Sequence, residues 1–164
     1  MGQLINRFGT TGIKGEAGEI FMYEELQKEY TVSDYRTDMI LQTQGIDFGI
    51  SKPDWRREYT LDVKNNLYIS NSYYAFKIEI ESNGKAGWFF TSKSDRIYHT
   101  NTYSKQYLYY DLNELRYFVT KRLLASNYGD FKVVNHNGDV LIQFQMDINT
   151  NHNLPISNLF QKKS

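Results

Sequence analysis

The run Tyr59-Thr60-Leu61-Asp62-Val63-Lys64-Asn65 constrains this chain more than any other segment. Its alternation reads as a β-strand. Leu61 and Val63 share one face and Asp62 and Lys64 the other, because successive strand side chains point to opposite sides. An acid and a lysine on the second face suit two roles. They pair as ions on an exposed sheet face, or they hold a divalent cation beside a positive charge. A second acid stands upstream in Gly45-Ile46-Asp47-Phe48-Gly49. Within that apolar stretch Asp47 reads as a strand residue, and its flanking glycines also allow a turn.

The bulk of the chain narrows the setting. At 164 residues there is room for one domain with a sizeable core. Residues 1–148 read as that domain, and 149–164, polar and Asn-rich, as a loosely held tail. Only two prolines, against 14 tyrosines, argue against disorder. No apolar run approaches the roughly 18 residues of a membrane span. Met1 to Arg7 lacks the apolar centre of a secretory leader. The absence of cysteine excludes disulfides and thiolate metal sites and fits a reducing compartment, so a cytoplasmic protein is expected. Net charge is zero, which counts against a strong nonspecific nucleic-acid binder. Local clusters say more: Arg56-Arg57, Lys93 with Arg96, Lys121-Arg122 and Lys162-Lys163 suit either solvated surface or phosphate contact.

The spacing predicts a helix over residues 16–30, with Glu19, Tyr23, Leu26 and Tyr30 on one stripe. Strands follow at Thr31 to Tyr35, Met39 to Leu41 and Ile46 to Ile50. Residues 51–58 are a polar loop with a proline turn. Further strands are expected at Tyr59 to Lys64, Tyr74 to Glu81, Gly87 to Thr91 and Arg96 to His99. A second helix covers about 112–125, with Asp111 as N-cap and Glu114 completing a capping-box pattern. Phe131 to Ile142 reads as a hairpin turning at Asn137-Gly138. The order of elements implies an α/β or α+β domain built on one central mixed sheet flanked by helices. His99, His136 and His152 show no metal-ligand spacing and read as surface histidines.

Phosphodiester hydrolysis near neutral pH calls for carboxylates that hold a metal and for a cation near the attacked phosphate. Asp47 and Asp62 on adjacent strands supply the carboxylates, the Val63 carbonyl a further oxygen, and Lys64 the cation. All-oxygen ligation of this kind suits magnesium, with manganese as a substitute.

Gly15-x-x-x-Glu19 on a first helix, then Gly45-Ile46-Asp47, then Asp62-Val63-Lys64, resembles the PD-(D/E)xK nuclease superfamily. The pattern is similar to its Holliday-junction resolvase and phage endonuclease branches, over about residues 12–98. The resemblance implies a restriction-endonuclease-like core, with Asp47 and Asp62 as metal ligands, Lys64 as catalytic lysine and Glu19 as the helix glutamate. It also adds Glu79, in Ile78-Glu79-Ile80, as a candidate ligand or water-orienting acid. Pro53-Asp54 matches the letters of the superfamily name. It stands in a loop only a short way before Asp62, so Asp47 is the preferred partner. The implied activity is a metal-dependent DNA endonuclease of phage or mobile-element type, acting on duplex or branched DNA. Lys52, Arg56, Arg57, Lys93 and Arg96 are expected to flank the site and contact phosphates. Cutting both strands of a duplex would favour a homodimer. Two other readings stay open. One is a noncatalytic nucleic-acid-binding or assembly module that keeps the nuclease fold. The other is an interaction domain whose acids are surface residues.

Overall fold

Two β-sheets, rather than one, organise the chain. The computed structural model describes residues 2–125, 131–148, 155–156 and 160–161. In chain order the elements are α1 (Gly2–Leu26), β1 (Thr31–Asp34), α2 (Met39–Thr43), β2 (Phe48–Ser51), β3 (Tyr59–Lys64), β4 (Tyr68–Ile69), β5 (Tyr73–Ser82), β6 (Lys85–Ala86), α3 (Trp88–Thr91), β7 (Arg96–Asn101), β8 (Gln106–Asp111), α4 (Leu112–Leu124), β9 (Phe131–His136), β10 (Asp139–Asp147) and β11 (Phe160–Gln161). The first sheet has strand order β1-β2-β3-β7-β8-β11; β3 and β7 run parallel and the other neighbours antiparallel. The second sheet is antiparallel, β4-β5-β10-β9, with β6 on β5. The fold is therefore mixed α/β, and the expected single sheet is corrected to two. The reason is local. The β9–β10 hairpin pairs along the whole of β5 and so builds its own ladder.

Each face of the first sheet is covered differently. Phe21, Met22 and Leu26 of α1 pack on Phe48, Ile50, Leu61, Val63 and Tyr98. On the opposite face Ile97, Leu108 and Tyr110 meet Phe76, Ile78, Ile142 and Phe144 of the second sheet, with Leu112, Leu115 and Val119 of α4. Phe76 stacks on Phe144 at 5.0 Å and on Tyr110 at 5.8 Å. Strand β3 lies inside this sandwich, and its alternation sends Leu61 and Val63 towards α1 and Asp62 and Lys64 towards the other side.

Several expected elements shift. Met39 to Leu41 belongs to a short helix, not a strand: Asp38 caps it by accepting from Leu41 N at 3.0 Å, and Met39 and Ile40 face solvent. Gly87 to Thr91 forms a single helical turn instead of a strand. It follows extended Gly87, and Glu79 Oε1 accepts from Trp88 N at 3.2 Å. The first helix ends at Leu26 rather than residue 30. Strand β8 was not anticipated. Asp111 does cap α4, accepting from Glu114 N at 3.0 Å. Asn137 and Gly138 turn the hairpin with φ of 49° and 86°, the pair of positive values that a type I′ turn needs. The segment expected to hang loose is tied to the sheet where it is described. Ile156 bridges Tyr110, and β11 pairs with β8. No helix among the described residues is long and apolar enough to cross a membrane.

Glycine lets α1 approach the ends of β3 and β7. A Cβ on Gly18 would lie 2.7 Å from Asn65 Cβ and 2.9 Å from Thr100 Oγ1, whereas a Cβ on Gly15 would meet nothing within 4 Å. Gly15→Ala should stabilise the protein by about 0.5–1 kcal/mol through helix propensity. Gly18→Ala, one turn later, should destabilise it by about 1–3 kcal/mol through overpacking. Thermal melts of the two variants check this; shifts of the same sign would contradict the close approach.

Candidate active site

The strand pairing brings the two central acids together. Phe48 pairs with Leu61 across β2 and β3, so the register carried one step further sets Asp47 opposite Asp62. Asp47 continues the ladder by other means. Its N–H donates to Leu61 O at 2.8 Å, and its carboxylate Oδ2 accepts from Val63 N at 2.8 Å. Its other oxygen, Oδ1, accepts from Gln42 Nε2 at 3.1 Å, and the same amide donates to Ile46 O at 2.8 Å. Both acids are buried, Asp47 at 6% exposure and Asp62 at 2%.

Asp62 has two unlike oxygens. Oδ1 pairs with Lys64 Nζ at 2.9 Å. Oδ2 is buried with no hydrogen-bond partner. It packs against Gly45, whose φ of 70° and lack of Cβ leave room; a Cβ there would stand 3.3 Å from Oδ2 and 2.8 Å from Ser92 Oγ. Burial lifts the Asp62 carboxyl from its ordinary 3.8 to about 7, the Lys64 ammonium opposing the shift and the nearby Asp47 carboxyl adding to it. Lys64 Nζ lies 5.1 Å from the Trp88 ring centroid, so one cation serves the acid and a ring face.

Glu19 joins this group from α1. It is half-buried, and burial followed by the Asp47 carboxylate raises it from 4.5 to about 7 against the pull of Arg36 and Lys64. Arg36 is held by Asp34 in a bidentate pair at 2.9 and 2.7 Å, with its guanidinium over the rings of Tyr23 and Phe48. Three carboxyls and one lysine thus influence one another at the end of β3 and the start of β2. Val63, expected as a carbonyl ligand, follows Asp62 on β3 and contributes its N–H to Asp47.

The other candidates lie elsewhere. Glu79 holds the start of α3, its Oε1 accepting from Trp88 N. Asp54 is exposed on the loop before β3. Lys52, Arg56, Arg57 and Arg96 gather around Trp55 and Tyr59, at the first residue of β3 rather than its last. They do not flank the acids as expected, because the loop 51–58 joins β2 to β3 at the end of the hairpin away from Asp47. Lys93 alone borders the acids by backbone, its N–H donating to Gln44 O at 2.8 Å beside Gly45.

Two groups escaped sequence reading. Gln42 was hidden because residues 39–41 read as a strand, although Asp38 three positions before Leu41 is a cap signal. His99 is fully buried, not a surface residue. It stands beside Lys64 in the parallel register, with Nδ1 bonded to Asn66 Oδ1 and Nε2 to Tyr110 Oη at 2.9 Å. Burial and then the Lys64 ammonium hold its pKa well below the usual imidazole range. A β-strand whose two faces are both covered has no surface side, and the local sequence carries no sign of that. His136 is exposed, and His152 lies outside the described residues.

No group of three or more His, Cys, Asp or Glu side chains among the described residues is gathered closely enough to cage a metal. Two facing carboxylates match the looser requirement of magnesium, which keeps several waters and takes one or two protein carboxylates. The partnerless Asp62 Oδ2 is the atom such an ion would satisfy. Comparison of the chain with protein-family models, curated proteins and solved structures finds no match.

The burial of Asp62 has a consequence for stability. In the unfolded chain it ionises near 3.8, and in the folded, metal-free protein near 7. Folding takes up a proton between those values, so stability falls as pH rises through this window, and the full cost is present above about 7. Asp62→Asn should therefore stabilise the metal-free protein at pH 8 by on the order of 2–4 kcal/mol and bring little gain near pH 3.5. Denaturant titrations at both pH values check this. A loss of stability at pH 8 would mean that the Lys64 ion pair outweighs the burial cost.

Proposed function

We propose that this chain is a metal-dependent DNA endonuclease that hydrolyses phosphodiester bonds, with Asp47 and Asp62 as the metal-binding carboxylates. The observation that carries the reading is the facing pair itself. Two buried acids stand opposite one another on adjacent strands, one with an unsatisfied oxygen, and the adjoining lysine is already in contact. Two buried carboxyls side by side, with a single lysine in contact and one oxygen left without a partner, carry a cost that functional sites commonly bear. A restriction-endonuclease-like core is supported by the element order. Helix α1 precedes three antiparallel strands, Asp47 immediately precedes the second, Asp62 and Lys64 lie on the third, and β7 runs parallel to that third strand.

The residues divide the work. Asp47 and Asp62 bind the ion, Asp47 held in place by Val63 N–H and Gln42. A bound magnesium ion supplies charge neutralisation at the phosphate and a water of lowered pKa; manganese satisfies the same hard-oxygen preference. Lys64, fixed between Asp62 and the Trp88 face, places a positive charge where charge builds up on the phosphate. Glu19, poised near neutral pH, can take up the proton of an attacking water. A noncatalytic nucleic-acid-binding module is the second reading, favoured by the near-complete burial of Asp62.

Cleavage separates the two. Purified protein should nick supercoiled or branched DNA with Mg²⁺ and stop with chelator. Asp62→Asn and Lys64→Ala should each lower the rate by at least about 100-fold, the scale of a lost catalytic group. Unchanged cutting by Asp62→Asn would sink the assignment. No cutting by wild type, with DNA binding intact, would favour the noncatalytic module.

A further inference from the structure

The basic residues displaced from the acids form a structure of their own. A groove of about 590 Å³ opens at the start of β3, lined by Asp54, Trp55, Arg56, Arg57, Tyr59 and Arg96. Arg96 is half-buried, with its guanidinium 4.9 Å from the Tyr59 ring centroid, 5.4 Å from Tyr109 and 6.0 Å from Trp55. At the neighbouring position Lys52 Nζ lies 4.9 Å from the Tyr30 ring centroid and 5.9 Å from Trp55. Arg57 covers Tyr59 at 4.3 Å and holds Asp95 through bonds of 2.9 and 3.0 Å.

The charge is not balanced. Among the described residues no carboxylate forms an ion pair with Lys52, Arg56 or Arg96. Asp54 lines the groove, Asp95 is taken by Arg57, and Asp111, in register with Arg96, is occupied in capping α4. The Arg96 guanidinium, clamped among aromatic faces and hydrogen-bonded in part to Tyr98, loses little rotamer freedom on binding. Its planar fork matches two phosphate oxygens. Rings and cations interleaved along a groove are the arrangement that follows a nucleic-acid strand.

We infer that this groove is a second phosphodiester-binding site, separate from the acids, which grips the backbone of a nucleic-acid strand. Tyr59 and Asp62 are three residues apart on β3, so along the strand the two sites stand about 10 Å apart. They also use opposite faces of the sheet. This spacing relative to the acids rests on the proposed function, whereas the binding itself does not.

The chain has two tryptophans, one at each site: Trp55 in the groove and Trp88 under Lys64. In Trp88→Phe, Trp55 becomes the sole tryptophan, read by excitation selective for indole. A short oligonucleotide titrated into this variant in chelator should change Trp55 emission saturably, and raising the salt should reverse the change. Arg56→Gln, at an exposed position, should weaken binding and lower the slope of log affinity against log salt by about one. Combined with Arg96→Gln it should weaken binding at least about tenfold. A thermal melt confirms that the double variant is folded, and if it is not, Arg56→Gln alone decides. Asp62→Asn should leave the Trp55 signal unchanged, which separates this inference from the catalytic one. Single-stranded and duplex arms identify the strand form held, and binding of either supports the site. Salt-insensitive binding, full affinity in Arg56→Gln, or equal affinity for heparin would overturn it, the last reducing the groove to a generic polyanion surface.

Discussion

The bond from Val63 N–H to the Asp47 carboxylate, 2.8 Å long, is the constraint on which the centre of this molecule depends. At that point β2 ends its regular pairing with β3, and a side chain completes the ladder in place of backbone. The substitution satisfies a buried amide that would otherwise be orphaned. It also fixes Asp47 against the sheet, opposite Asp62, where a solvated carboxyl would not remain. Gln42 on α2 completes the hold by bonding the second Asp47 oxygen and the Ile46 carbonyl. A short helix with an exposed outer side thus contributes one interior contact, and that contact orients the acid.

Around this bond the protein concentrates charge that it does not fully compensate. Asp62 gains one ion pair from Lys64 and keeps one oxygen without a partner. Glu19 is pushed up by burial and by Asp47. On the far side of Lys64, His99 is neutral and bonded at both nitrogens, so it adds no charge to the cluster while filling the space between the two sheets. Tyr110, which accepts or donates to that imidazole, is itself held protonated by burial and by the Asp62 carboxylate. The polar interior thus sets Lys64, with Arg36 at its edge, among several acids, enclosed by Phe76, Trp88 and the face of the second sheet.

Strand β3 separates two kinds of surface chemistry. Its later residues carry Asp62 and Lys64, and its first residue belongs to the groove of Trp55 and Arg96. The hairpin geometry enforces this division. A loop that joins β2 to β3 must lie at the end of the pair opposite to the start of β2, so Arg56 and Arg57 cannot approach Asp47. Arg96, at the start of the parallel strand β7, is carried to the same end as Tyr59.

Much of the local structure was legible in the sequence. The alternation of Leu61, Asp62, Val63 and Lys64 determined a strand and its two faces. Asp111 with Glu114 marked a helix start, and Asn137-Gly138 marked a hairpin, because capping and turn chemistry act over a few residues. The preference for Asp47 over Asp54 followed from the apolar neighbours of the one and the loop setting of the other. What the sequence could not carry was anything that depended on the layer above. Met39 and Ile40 looked like a strand because apolar character alone does not distinguish a short strand from an exposed helical turn. His99 looked exposed because its neighbours in sequence are polar, while its neighbours in space are Phe76, Tyr110 and Asn66. The pairing of Asp47 with Asp62, the orphaned oxygen and the removal of the basic cluster to the far end of β3 are facts of register and sheet packing. The sequence by itself determined which residues could take part. Only the tertiary structure decided which of them meet, because contact between distant segments is set by strand pairing and burial rather than by local propensity.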